Sequence, residues 1–238
     1  MKTGFYSVFY AIVSNGAVLL CFIPFLFLGW KNMRKVQTWW VLGIYWLLTG
    51  FDNLLEIWMT SGTPGHHGGP VHLLSFIYSL VETPLVLLAF ALARKGRSRK
   101  GLLILLVVFL AAETILIRLQ GNASLLSIMG SGLAIIILYS LTGLLGYLKK
   151  MEHTRFENSM VFIYASLLFS YGSMLIIYIF AHYHVAAKPG NAMDSFLLYY
   201  ISLLLSAAIT CAGLWSYGVR RPRPRPWSVS TGYSSSSS

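Results

Sequence analysis

Four carboxylates stand inside stretches that are otherwise apolar: Asp52, Glu56, Glu82 and Glu113. An ionisable side chain in such a run is costly to bury in lipid and marks a functional site by default. Helical spacing groups them. Thr49, Asp52, Asn53, Glu56 and Thr60 fall at i, i+3, i+4, i+7 and i+11, so they share one helix face. His72, Ser75, Ser79 and Glu82 make a second stripe at the same period. Tyr171, Tyr178 and His182 share a line further on, with Ser166, Ser170 and Ser173 beside it, and Ser195, Tyr199, Ser202, Ser206 and Thr210 make another stripe. Hydroxyl stripes on membrane helices commonly bond helix to helix. That is the reading adopted for the stripe ending at Thr210 and for Ser124, Ser127 and Ser131.

Four ionised carboxylates cannot share a low-dielectric interior without counter-charge. The one arginine among them, Arg118, stands at the rim. Three resolutions are open. Some of the carboxyls carry a proton, which suits proton coupling or general acid catalysis by Glu82 or Glu113. A cation, a divalent metal included, sits among carboxylate oxygens and histidine nitrogens. Or a cationic small molecule fills the space, helped by cation–π contact with Trp46, Trp58 and the tyrosines. The expected binding set is Asp52, Asn53, Glu56, Glu82, Glu113, His72 and Arg118. None of the three suits an anionic substrate. His66 and His67, in a Gly/Pro-rich stretch at 62–70, read as part of a flexible polar loop.

The elements that must hold these residues are membrane helices. The chain has 238 residues, 56% hydrophobic and only 11% charged, with a mean hydropathy of +0.67. Soluble domains carry about 25% charged residues, so an ordinary soluble globule is excluded. Segments at roughly 5–30, 38–60, 71–93, 101–118, 123–148, 158–184 and 194–218 are each long enough to span. Each must be a helix, because no isolated strand satisfies its backbone in lipid. The expected fold is therefore an all-α, seven-span bundle over 1–219, followed by a basic Arg-Pro and Ser-rich disordered tail at 220–238.

Loop charges orient this bundle. Of 18 Lys and Arg, all but Lys2, Arg118 and Lys188 follow the first, third, fifth or seventh segment. The positive-inside rule then puts the N-terminus outside and the C-terminus in the cytoplasm, in a plasma membrane or bacterial inner membrane. The basic excess beside helix ends fits attraction to anionic lipid, with no nucleic acid as partner. At 1.5 Å per residue Glu56 lies about 6 Å below the outer end of its span, Asp52 about 12 Å and Glu82 about 16 Å, near the midplane. The expected site is a polar chamber opening outward with Glu82 at its floor. Pro84, two residues on, bends that helix beside the carboxyl.

No phosphate-binding loop, nucleophile elbow or HExxH pattern appears, and the two cysteines, Cys21 and Cys211, form no CxxC pair. Retinal proteins are similar in size, span number and orientation, but the last span has no lysine for a Schiff base. Alkaline ceramidases are similar in architecture, yet the histidines their metal needs are missing from the depths of these spans. The leading expectation is a small transporter for a proton, cation or cationic lipophile. The alternatives are an intramembrane enzyme, acid/base or metal-dependent, acting on a lipid-like substrate, and a sensor or assembly subunit without chemistry of its own.

Overall fold

A computed structural model describes residues 2–30, 36–61, 68–120, 124–182 and 189–218, with side chains described at 8–29, 36–58, 73–119, 127–179 and 196–217. His66, His67 and His184, the His182 side chain and the tail from 219 onward lie outside the described residues. What is described is entirely helical, without a strand: α1 (Lys2–Trp30), α2 (Gln37–Ser61), α3 (Gly68–Ala93), α4 (Arg97–Gln120), α5 (Ser124–Leu148), α6 (Arg155–His182) and α7 (Pro189–Gly218). Six of these are long and apolar enough to cross a bilayer. The chain is a multi-pass integral membrane protein. The helix outside that six is α2, whose 25 residues match its neighbours in length but include the Thr49, Asp52, Asn53 and Glu56 stripe.

Each helix packs on its neighbours in sequence, and α7 returns against α1 to close a ring. Contact between α3 and α5 pinches the ring, so α4 lies outside the notch between them. Its other faces show the consequence. Ile104, Val107, Ile115 and Leu119 are all more than half exposed, as lipid-facing side chains are. Inside the ring, Cys21, Trp39, Trp46, Val86, Phe90, Ile163, Leu167 and Leu203 form a continuous apolar core.

Small and hydroxyl residues bring the most closely packed pair, α6 and α7, together. The Ser166 hydroxyl donates to the Ser206 carbonyl (2.7 Å), and the Ser206 hydroxyl returns a bond to the Ser166 carbonyl (3.0 Å). Thr210 Oγ1 joins Ser166 Oγ at 2.8 Å, and Ser159 donates to the Gly213 carbonyl. In lipid there is no hydrophobic drive between helices, so association rests on such bonds and on close packing. Ser206 and Thr210 thus do the packing work expected of their stripe.

At Gly213 the two helices come close. A Cβ there would stand 2.8 Å from the Phe162 Cβ and 3.1 Å from the Ser159 carbonyl oxygen. Overpacking of this kind costs about 1–3 kcal/mol. Gly213→Ala should therefore lower the unfolding midpoint in detergent, whereas Gly146→Ala, where a Cβ meets nothing within 4 Å, should leave it unchanged or slightly raised. Equal midpoints for both variants would contradict this account of the α6–α7 seam.

Candidate functional site

The polar stripes of α2 and α3 face each other. Ser75 Oγ donates to Asp52 Oδ1 at 2.8 Å, and one turn further along both helices Thr49 Oγ1 meets the Tyr78 hydroxyl, also at 2.8 Å. Thr49 bonds its own helix at the Tyr45 carbonyl (2.9 Å) and Asn53 Nδ2 donates to the Thr49 carbonyl (2.8 Å). The two stripes were each implied by helical period. Their pairing is a tertiary fact.

Glu82 is the deepest member. It lies 14 residues into the 26-residue α3, about 21 Å from that helix's start and close to its middle. Its partner comes from across the ring: the Tyr171 hydroxyl on α6 donates to Glu82 Oε1 at 2.7 Å. Tyr78, whose hydroxyl meets Thr49, stands near this carboxyl, and Asp52 is close enough for its charge to act on it. Tyr45 from α2 and Tyr199 from α7 complete the surroundings, with Asn53 beside Tyr199. Glu56, higher on α2, acts electrostatically on Asp52 and faces Tyr10 and Tyr200, whose rings meet edge to face at 5.8 Å. The result is a ladder of carboxyls running from Glu56 through Asp52 to Glu82, with Tyr10 and Tyr200 near the first, the Ser75 hydroxyl on the second and the Tyr171 hydroxyl on the third.

Burial explains why hydroxyls fill these places. A carboxyl held away from water needs donors, and a phenol offers one on a rigid, largely apolar side chain. Tyr45, Tyr171 and Tyr200 are each 2% exposed. Within this group Asn53, 1% exposed, keeps an acceptor, Oδ1, without a hydrogen-bond partner. Pro84 cannot donate to the Leu80 carbonyl, yet α3 continues through it without a break.

Glu113 stands apart from this ladder. It is 5% exposed on α4, on the same side as Phe109, Leu116 and Ile117, which pack with Leu87 and Ile128 in an apolar seam of α3, α4 and α5. Its Oε1 has no hydrogen-bond partner, and none of the other three carboxylates bears on it. Arg118, five residues on, is exposed near the end of α4. His72 belongs to α3, but its side chain lies outside the described residues. So the structure groups Asp52, Asn53, Glu56 and Glu82, and leaves Glu113 and Arg118 on the peripheral helix. Of the aromatic residues expected to help, Trp46 is buried against Tyr45 at 5.3 Å and Trp58 is 53% exposed. Among the described residues no three His, Cys, Asp or Glu side chains come together as metal ligands would.

Compared with known proteins, the chain matches no family model, no curated protein and no solved structure. The site is therefore read from its own geometry. Sequence reading passed over Tyr45, Tyr78 and Tyr200, although Tyr45 precedes Thr49 by four residues and Tyr78 precedes Glu82 by four. That i, i+4 relation to a polar stripe was the available signal.

Two outcomes check this description. Tyr171→Phe should shift the infrared carbonyl or carboxylate band that disappears in Glu82→Gln, because that band belongs to a group losing its 2.7 Å donor. Glu113→Leu should raise the unfolding midpoint, since an unsatisfied buried polar group costs about 1–3 kcal/mol and an apolar side chain of similar length removes it. A fall in midpoint would mean that Glu113 has a partner this geometry does not contain.

Proposed function

We propose that the chain is a seven-span protein whose acidic, tyrosine-lined interior binds a proton, a cation or a cationic lipophilic molecule, and that it works as a small transporter. The single observation carrying this reading is Glu82, a carboxyl at mid-helix held at 2.7 Å by Tyr171 and close enough to Asp52, as Asp52 is to Glu56, for their charges to act on one another. Such a ladder attracts positive charge at its mouth and offers stepwise partners on the way in. The unpartnered Asn53 Oδ1 adds an acceptor that a cation or donor would satisfy.

The seven-span count rests on α2 crossing with its neighbours. It is packed between α1 and α3, and its polar stripe bonds to α3 instead of meeting lipid. The loop charges favour an outside N-terminus, which turns the Glu56 end of the ladder outward, in a plasma or bacterial inner membrane. Below Glu82 the path closes. Val86, Phe90, Ile163 and Leu167 are all buried, and Phe90 packs on Tyr164 with ring centroids 5.5 Å apart. An apolar layer of this kind is a barrier that transport has to open, as hydrophobic constrictions do in gated pores.

Proton flux into liposomes carrying the purified protein and an enclosed pH dye, driven by a potassium diffusion potential, tests the reading. Wild type should exceed empty liposomes, Glu82→Gln should fall to their level, and Asp52→Asn should be intermediate. Glu113→Gln should retain flux, because Glu113 lies off the ladder. The same series repeated with a labelled lipophilic ammonium ion separates proton from organic cation. Wild-type rates in Glu82→Gln for both probes would remove the proposal.

A further inference from the structure

At the other end of the bundle from Glu56, a cavity of about 870 Å³ opens between the ends of α2, α3, α5, α6 and α7. That is the size range of sites for small organic ligands, about 300–1,000 Å³. Its walls differ in kind. Arg94 and Lys95 contribute cationic groups from the turn joining α3 to α4, and the Tyr164 hydroxyl lies against Arg94. Phe156 and Met160 supply an apolar wall. Tyr147, stacked flat on His153 with centroids 3.6 Å apart, makes an aromatic one.

The charges do not cancel. Glu157 is the carboxylate in the lining, and it is fully engaged. It binds Lys150 Nζ at 2.6 Å and accepts from the Thr154 amide at 2.8 Å and the Thr154 hydroxyl at 3.0 Å. Thr154 Oγ1 accepts in return from the Glu157 amide (3.2 Å). This reciprocal capping box closes the start of α6 and keeps Glu157 from pairing with the α3–α4 turn. The turn itself is fixed by Gly96 at a φ of 65°, in the left-handed region that favours glycine. Arg94 and Lys95 therefore present positive charge to a roomy cavity whose acid is already paired.

We propose that this cavity binds the phosphate of an anionic phospholipid. Arg94 takes the phosphate oxygens through its planar fork, Lys95 adds a second charge, and Phe156 and Met160 receive the first carbons beyond the headgroup. Arginine matches phosphate bidentately, and basic pockets between membrane helices are established sites for anionic headgroups. Position favours lipid over a soluble phosphate: the cavity sits at helix ends, where headgroups lie, and is half-apolar. The site stands on membrane insertion alone and is independent of the transport reading.

The test uses the full chain, delipidated in detergent, with thermal unfolding followed as phosphatidylglycerol, phosphatidylcholine or inorganic phosphate is added. Phosphatidylglycerol should raise the midpoint and phosphatidylcholine should not. Arg94→Gln and Lys95→Gln should each weaken the apparent affinity for phosphatidylglycerol, the pair together by about tenfold or more. Lys95 is exposed, so its variant keeps the test usable if Arg94→Gln folds poorly. Lys149→Gln, an exposed basic residue of the same end outside the lining, should leave the affinity unchanged and so separates a site from diffuse surface charge. Equal effects of both lipids, or an equal loss in Lys149→Gln, would overturn the proposal. Inorganic phosphate alone reproducing the shift would overturn the lipid source and assign the cavity to soluble phosphates.

Discussion

A carboxyl group in the middle of a membrane bundle has to find donors inside the protein, because lipid offers none. Glu82 meets that requirement through Tyr171, and the bond ties α3 to α6 across the ring. The arrangement around it follows from the same constraint. Once Glu82 occupies mid-helix, the faces of α2, α6 and α7 turned toward it must carry hydroxyls, and Tyr45, Tyr171 and Tyr199 are what they carry. Tyrosine suits the place because one end of the ring packs with Phe and Leu while the other supplies a donor. Helix order around the ring is thus coupled to the chemistry of one side chain.

The bundle is divided along its length by charge. One half holds carboxylates softened by hydroxyls, the other a basic cavity, and between them lie Val86, Phe90, Leu167 and their apolar neighbours, where the buried Ser166 is engaged by its bonds to α7. Separation by an apolar layer keeps the two charge systems from neutralising each other, since opposite charges joined by a water path would pair or be screened. Pro84, immediately past Glu82, leaves α3 one hydrogen bond short at the same level.

Glu113 shows how position in the ring overrides residue type. Its chemistry equals that of Glu82, and both stand well inside their helices. Yet α4 is displaced outward by the α3–α5 contact, so Glu113 points into a seam of Leu87, Phe109 and Ile128 with no donor for its Oε1. Counting intramembrane carboxylates treats the two as equivalent, and the packing separates them. Arg118 shares that displacement and sits exposed near the end of the peripheral helix.

Much of the architecture was legible without coordinates. Low charge, long apolar runs and the backbone's need for internal hydrogen bonds were enough to require membrane helices, and the 3.6-residue period was enough to put Asp52 with Asn53 and Glu56, and Ser75 with Glu82, on common faces. These are local properties: they depend on residues a few positions apart along one helix. Which face meets which is set by packing between helices, and apolar faces in lipid give little preference among rotations. Only the tertiary structure could therefore bring Tyr171 to Glu82 over 89 residues of sequence, send Glu113 to a separate seam, and gather Arg94, Lys95 and the α6 capping box around one cavity.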